Sequence, residues 1–217
     1  MIQIKVFVFN PFSENTFVVY DESLEAIVID PGCYESSEKE ELVSFISGEN
    51  LRVIKLINTH SHIDHCLGNQ FIKELYKVKL ELHEKEVPVL ASVVSYASEY
   101  GFPGYQHSSP DTYLSEGDTI TFGNSTLEIV FVPGHSPGHI ALINKDENIC
   151  IGGDVLFQGS IGRTDLPGGD FDTLIESIKN KIFTLEDHMV VYPGHGAATT
   201  VGEEKLSNPF VGQTILS

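Results

Sequence analysis

Cysteine is scarce in this chain, and the three present (Cys33, Cys66 and Cys150) are an odd, widely spaced set. That pattern fits a reducing compartment better than a disulfide framework, so a cytoplasmic location is expected. Basic residues are scarce as well: 13 Lys+Arg stand against 31 Asp+Glu, a formal net charge of −18. Such a balance repels phosphate backbones and anionic bilayers, so neither nucleic acid nor membrane is expected as a partner. No apolar run approaches the roughly 20 residues that span a bilayer. Met1 to Asn10 show no charged leader region, no long apolar stretch and no small-residue cleavage site. What is present is ordinary globular composition, 41% hydrophobic and 20% charged, over 217 residues. That length is ample for a buried core in one large domain or two fused halves.

The order of elements is readable from periodicity. Ile2 to Val8, Asn15 to Val19 and Glu25 to Ile29 read as a strand series, with a turn at Asp21-Glu22-Ser23. Ser37 with Glu40 forms a capping box for a helix through Leu42, Val43, Phe45 and Ile46, and Gly48 stops it. Val53 to Ile57 is a strand, after which Leu67, Phe71, Leu75 and Val78 recur at helical spacing. Glu84 to Tyr100 reads as a helix with Pro88 in its first turn, and Gly101 to Pro110 as a loop. Further strands are expected at Ile120 to Phe122, Thr126 to Val132, Ile140 to Ile143, Ile149 to Ile151 and Met189 to Tyr192. A last helix is expected from Phe171 to Phe183. Strands alternating with helices indicate α/β layers.

The chemistry is concentrated in the histidines. Thr59-His60-Ser61-His62-Ile63-Asp64-His65 places four potential metal ligands directly after a strand. His135, Asp154 and His195 each follow another apolar strand, beside glycines that permit sharp turns. Ligands at the mouths of adjacent strands converge on one crevice. Imidazole and carboxylate without thiolate suit zinc, iron or manganese in a catalytic site. Seven ligands exceed the needs of one ion and match two, about 3.5–4 Å apart and sharing a carboxylate. His139 reads as a supporting residue, Cys66 as a packing residue, and His83, His107 and His188 as surface groups.

His60-Ser61-His62-Ile63-Asp64-His65 resembles the His-x-His-x-Asp-His signature of the metallo-β-lactamase superfamily, and Asp30, His135, Asp154 and His195 match its other motifs in order. The resemblance implies an αββα four-layer sandwich with two mixed β-sheets, as a single domain over residues 1–217. It implies that His60, His62 and His135 hold one metal, that Asp64, His65 and His195 hold the second, and that Asp154 bridges them. Asp30 matches a position that buttresses the site. A bridging aspartate is the pattern of the thioester hydrolases and dioxygenases, which disfavours an antibiotic-resistance role.

Glu116-Gly117-Asp118, the run Pro133 to His139, Gly159 to Asp165, Pro193-Gly194-His195-Gly196 and Asn208-Pro209-Phe210 are similar to the small glyoxalase II-like hydrolases. Full-length glyoxalase II has a C-terminal helical glutathione-binding domain, and none is expected here. Arg163 and Asp165 stand where lysine and tyrosine are expected, and position 197 is Ala197. The implied activity is hydrolysis of a small-molecule thioester such as S-lactoylglutathione. The attacking group would be a metal-bound hydroxide, with two divalent ions (zinc first) as cofactors and Asp64 orienting the nucleophile. Arg163 is a candidate for a substrate carboxylate, or else an ion-pair partner of Asp165. Tyr105 is a candidate pocket-lining residue. The runner-up is a mononuclear iron persulfide dioxygenase using His60, His135 and Asp154. A non-catalytic metal or redox-sensing module is the third reading.

Overall fold

A computed structural model describes residues 1–213. The chain forms two compact units. The first comprises residues 1–114 and 120–126, the second residues 115–119 and 127–213 among those described.

The first unit is built on a six-stranded mixed sheet in the order β1-β2-β3-β4-β5-β6. Its strands are β1 (Gln3–Phe9), β2 (Glu14–Tyr20), β3 (Glu25–Ile29), β4 (Arg52–Ile57), β5 (Leu80–His83) and β6 (Thr112–Leu114). The first two pairings are antiparallel hairpins; β3, β4, β5 and β6 run parallel and are joined through helices. Parallel neighbours need such crossovers. The helices are α1 (Ser36–Gly48), α2 (Ile63–Cys66), α3 (Asn69–Tyr76) and α4 (Val87–Tyr96), the last entered through a 3₁₀ turn at Glu84–Glu86. Val18, Tyr20, Ala26, Val28, Leu56 and Leu82 from the sheet pack with Leu42 and Ile46 of α1, Ile72 of α3 and Leu90 and Val93 of α4.

The second sheet is also mixed, in the order β14-β13-β10-β9-β8-β7, with most of β7 and the first two residues of β8 assigned to the first unit. Its strands are β7 (Thr119–Phe122), β8 (Ser125–Phe131), β9 (Ile140–Asn144), β10 (Ile149–Gly153), β13 (Val190–Pro193) and β14 (Thr199–Thr200). A small hairpin of β11 (Leu156–Phe157) and β12 (Ser160–Ile161) follows β10. Helix α5 (Phe171–Asn180) precedes β13, and α6 (Val201–Ser207) follows β14. Leu174 and Ile178 of α5 and Val201 of α6 pack with Ala141, Ile143, Cys150 and Val191 of the sheet. The two mixed sheets with helices are those expected of the fold. No helix among the described residues is long and apolar enough to cross a membrane.

Several local readings change. The cap of α1 lies earlier than expected: Glu35 is its N-cap, and the Glu38 carboxylate accepts from the backbone N–H groups of Glu35, Tyr34 and Asn10. Ser37 and Glu40 are already inside the helix. Of the apolar series from Leu67 to Val78 only Asn69–Tyr76 is helical: α3 is separated from α2 at Leu67 and Gly68, and the Gly68 N–H donates to the Pro31 carbonyl. A side chain there would collide with Cys33. The helix expected over Phe171 to Phe183 ends at Asn180 and continues as a 3₁₀ turn at Ile182–Thr184. Likewise α4 ends at Tyr96, short of Tyr100.

Candidate metal centre

Strand direction decides where the ligands emerge. In the first unit β3 and β4 are parallel, so Asp30 and the run His60 to His65 leave the sheet at the same edge. His60 and His65 are wholly buried, with ring centroids 4.1 Å apart, and His60 lies 4.9 Å from His62. Ligand atoms of Asp30, His60 and His65 all fall within 4.8 Å of one another. Asp64 Oδ2 is 3.7 Å from His65 Nε2.

The buttress is Asp30, a fully buried carboxylate on a residue with φ of 49°. Its Oδ1 accepts from the Thr59 N–H at 2.7 Å, and its Oδ2 from the Thr59 hydroxyl at 2.5 Å. The same Oδ2 is 3.2 Å from His65 Nδ1. Because the Thr59 hydroxyl proton goes to Asp30, its oxygen is the acceptor for His60 Nδ1, 3.1 Å away. One carboxylate thereby fixes both rings with the proton on Nδ1 and the lone pair on Nε2. Asn58 adds a bond to the His65 carbonyl, and the buried Glu86 carboxylate accepts from the Ser61 N–H between His60 and His62.

Glu14 is a second buried acid here, its Oε1 3.8 Å from His65 Nδ1 and its Oε2 bonded by Thr16. Burial, together with the Asp30 and Asp64 charges, outweighs the opposing pull of His65 and the Thr16 bond and raises its pKa well above the usual carboxylate range. Nothing in the spacing flags Glu14, Thr59 or Glu86, because the contacts that tie them to the site include partners distant in the chain: His65 for Glu14, Asp30 for Thr59 and Ser61 for Glu86.

In the second unit β8 and β10 both run antiparallel to β9, and β13 is parallel to β10. His135, Asp154 and His195 therefore emerge at one edge as well. Asp154 Oδ2 is 3.5 Å from His135 Nε2 and 3.5 Å from His195 Nε2. His135 Nδ1 lies 2.7 Å from the Arg163 carbonyl, which can only accept, so this ring also carries its lone pair on Nε2. His139 is buried, and its Nε2 accepts from the Asp154 N–H at 3.0 Å, the supporting role expected of it. Two glycines are sterically required. Gly134, at φ 131°, abuts the Leu174 backbone, and Gly162 abuts the Asp154 carbonyl and His135 Nδ1.

The structure thus brings the seven candidates into two groups, His60, His62, Asp64 and His65 in one unit and His135, Asp154 and His195 in the other. The donor set of imidazole Nε2 atoms and carboxylate oxygens suits divalent ions of the zinc, iron and manganese type. Arg163 is exposed, and its guanidinium grips Asp165 through two hydrogen bonds of 2.7 and 2.8 Å. Tyr105 is half-buried with its hydroxyl 3.9 Å from Cys66 Sγ. The loop around it is pinned by the buried Phe102 and Ser108 and by the bond from Gly104 N–H to the Tyr34 hydroxyl. Cys66 packs as expected, and burial pushes its thiol up to about 12. His107 and His188 are exposed, but His83 is not a surface group. It ends β5 and is buried, its Nδ1 accepts from the Lys85 N–H, and burial lowers its pKa.

The model of the metallo-β-lactamase superfamily matches residues 9–195. The hydroxyacylglutathione hydrolase GloC of Haemophilus influenzae is 36% identical over 212 residues, covering 97% of this chain and 98% of the relative. The mitochondrial persulfide dioxygenase ETHE1 of Bos taurus is 33% identical, covering 89% of this chain and 70% of the relative. Among solved structures, the B3 metallo-β-lactamase BLEG-1 matches with a TM-score of 0.87 at 34% identity, covering 96% of this chain and 99% of that one. TTHA1623, solved in a di-iron-bound form, matches with a TM-score of 0.85 at 31% identity over 95% and 99%. The chain belongs to the metallo-β-lactamase superfamily.

Proposed function

We propose that the protein is a two-metal hydrolase of small-molecule thioesters, with S-lactoylglutathione as the reference substrate. His60, His62 and His135 would hold one ion and Asp64, His65 and His195 the other, with Asp154 shared. The observation that carries this reading is the Asp154 carboxylate, one oxygen of which is equidistant from two histidine Nε2 atoms. The GloC likeness over nearly the full length supports the substrate class. Zinc is the proposed metal; the di-iron relative keeps iron in the test. Three buried free thiols support a reducing, cytoplasmic setting.

When bound, a divalent pair would bring the pKa of a water down to about 7 and polarise a carbonyl. The chain's own residues supply the rest. The Nδ1 bonds of His60, His65 and His135 fix the direction of those rings and leave Nε2 as the donor atom toward a metal. The Asp64 carboxylate, with 14% of its side chain exposed, accepts a proton-side hydrogen bond from the attacking water and aims its lone pair. Water would add to the thioester carbonyl as its first proton passes by way of Asp64 to solvent; the C–S bond then breaks, and the products leave as carboxylate and thiolate with the second proton also released to solvent. A thiol pKa of about 8.5 makes the thiolate a good leaving group without a general acid.

The test is metal analysis of the purified protein with hydrolysis of S-lactoylglutathione followed beside it. Two ions per chain and turnover abolished by chelation are the expected result. The ETHE1 likeness supports a second reading, a mononuclear iron persulfide dioxygenase. One iron per chain with oxygen consumption on glutathione persulfide would select it. A cephalosporin arm covers the likeness to BLEG-1, and preferential β-lactam cleavage would overturn the thioester reading.

A further inference from the structure

The β1–β2 turn carries an exposed aromatic ring. Phe12 is 41% exposed, and beside it Tyr100, 54% exposed, lies 6.3 Å away between ring centroids. Behind this pair stand Phe102 at 6.1 Å from Phe12, Tyr34 at 4.9 Å from Phe102 and Tyr96 at 5.3 Å from Tyr100. Exposed rings are costly to hydrate, and a cluster of them backed by a rigid layer is the usual form of an apolar binding surface.

Its position is tied to a proposed metal ligand. The Asn10 side chain donates to the Asp64 carbonyl at 3.1 Å and to the Gly32 carbonyl at 3.1 Å. The same side chain accepts from the Phe12 N–H at 3.0 Å, so Phe12 and Asp64 are held through one amide. Asn10 and Ser13 adopt positive φ (52° and 56°), and Glu38 Oε1 accepts from the Asn10 N–H, which fixes the turn. Phe12 is therefore tied through Asn10 to the backbone of Asp64, and the ring surface runs on from Phe12 to Tyr100 and Tyr96.

We infer that Phe12 and Tyr100 form a shelf for the substrate's acyl chain, and that the preferred substrates are thioesters of apolar acyl groups rather than of short hydroxy acids. This rests on the thioester reading above. Lactoyl, with a hydroxyl on a two-carbon stem, gains nothing from a ring surface. A longer alkyl or aryl group extended from a carbonyl at Asp64 would cover both rings and remove apolar area from water.

The test separates binding from turnover by using thioether analogues, which cannot be hydrolysed. Dissociation constants of S-hexylglutathione and S-methylglutathione are measured by calorimetry on the metal-loaded protein. The hexyl analogue is expected to bind at least about tenfold tighter. Phe12→Ala and, separately, Tyr100→Ala should collapse that ratio to below about threefold. Leu206→Ala, an exposed apolar side chain on α6, should leave it intact. Equal binding of the two analogues, binding of neither, or a ratio that survives both ring substitutions would overturn the shelf. If the ratio behaves as expected and no thioester is hydrolysed, the shelf stands and the hydrolase reading falls.

Discussion

Asp154 Oδ2 stands 3.5 Å from Nε2 of His195, and the same oxygen stands 3.5 Å from Nε2 of His135. A carboxylate so placed serves both rings through one atom. Its backbone is held in turn: His139 accepts from the Asp154 N–H, and Gly162 presses on its carbonyl. Replacing Asp154 by Ala should reduce metal content below one ion per chain and lower thioester turnover by more than about a hundredfold. Elemental analysis beside a rate assay reads both, and full metal content with unimpaired turnover would contradict the assignment.

Thr59 acts only through other residues. Its hydroxyl donates to Asp30 and accepts from His60 Nδ1, so Thr59→Val removes the constraint on the His60 tautomer without touching a ligand atom. Groups of this kind are worth about 10–100-fold in metal affinity. The variant should lose affinity in that range in a competitive chelator titration, whereas Thr59→Ser should recover most of it.

Asp21 gives a pH signature away from the metal ligands. Burial acts to raise its pKa, but hydrogen bonds from Ser23, Ser125 and the Asn124 N–H outweigh it and hold the carboxyl at about 2. A depressed folded-state pKa stabilises the protein above the unfolded value, about 3.9, and that contribution is lost as pH falls toward 2. Asp21→Asn should therefore be less stable than the parent at pH 6, with the gap narrowing below about pH 4. Urea denaturation of both proteins in the metal-free form at pH 6 and pH 3 measures it.

The far end of the chain holds the loop that leads to Arg163. Buried Glu204 accepts from the Thr199 hydroxyl at 2.6 Å, Asn208 Nδ2 at 2.7 Å and the Gly159 N–H at 3.0 Å. Glu204→Ala strands these donors and should cost about 3 kcal/mol, read as a lower urea midpoint with an unchanged slope.

Much of the metal centre was legible because its signal is local. Four candidate ligands fall within His60 to His65, and the other three candidates each follow a readable strand beside glycine. Glu14, Thr59 and Glu86 were not legible, since each has a decisive partner in a distant segment: His65, Asp30 and Ser61. His83 looked like a surface residue because β5 spans only four residues, too few to show a period. The same shortness hid β6, β11, β12 and β14. The apolar period from Leu67 to Val78 gave no sign of the break at Gly68, which is set by the close approach of Cys33 and Pro31.

The measurement that tests the account most directly is metal stoichiometry and S-lactoylglutathione hydrolysis on the same purified sample, before and after chelation. The account predicts two divalent ions per chain, turnover that disappears with them, and recovery when zinc is restored. Turnover that persists in the metal-free protein, or a fully loaded protein inert to every thioester, would contradict it.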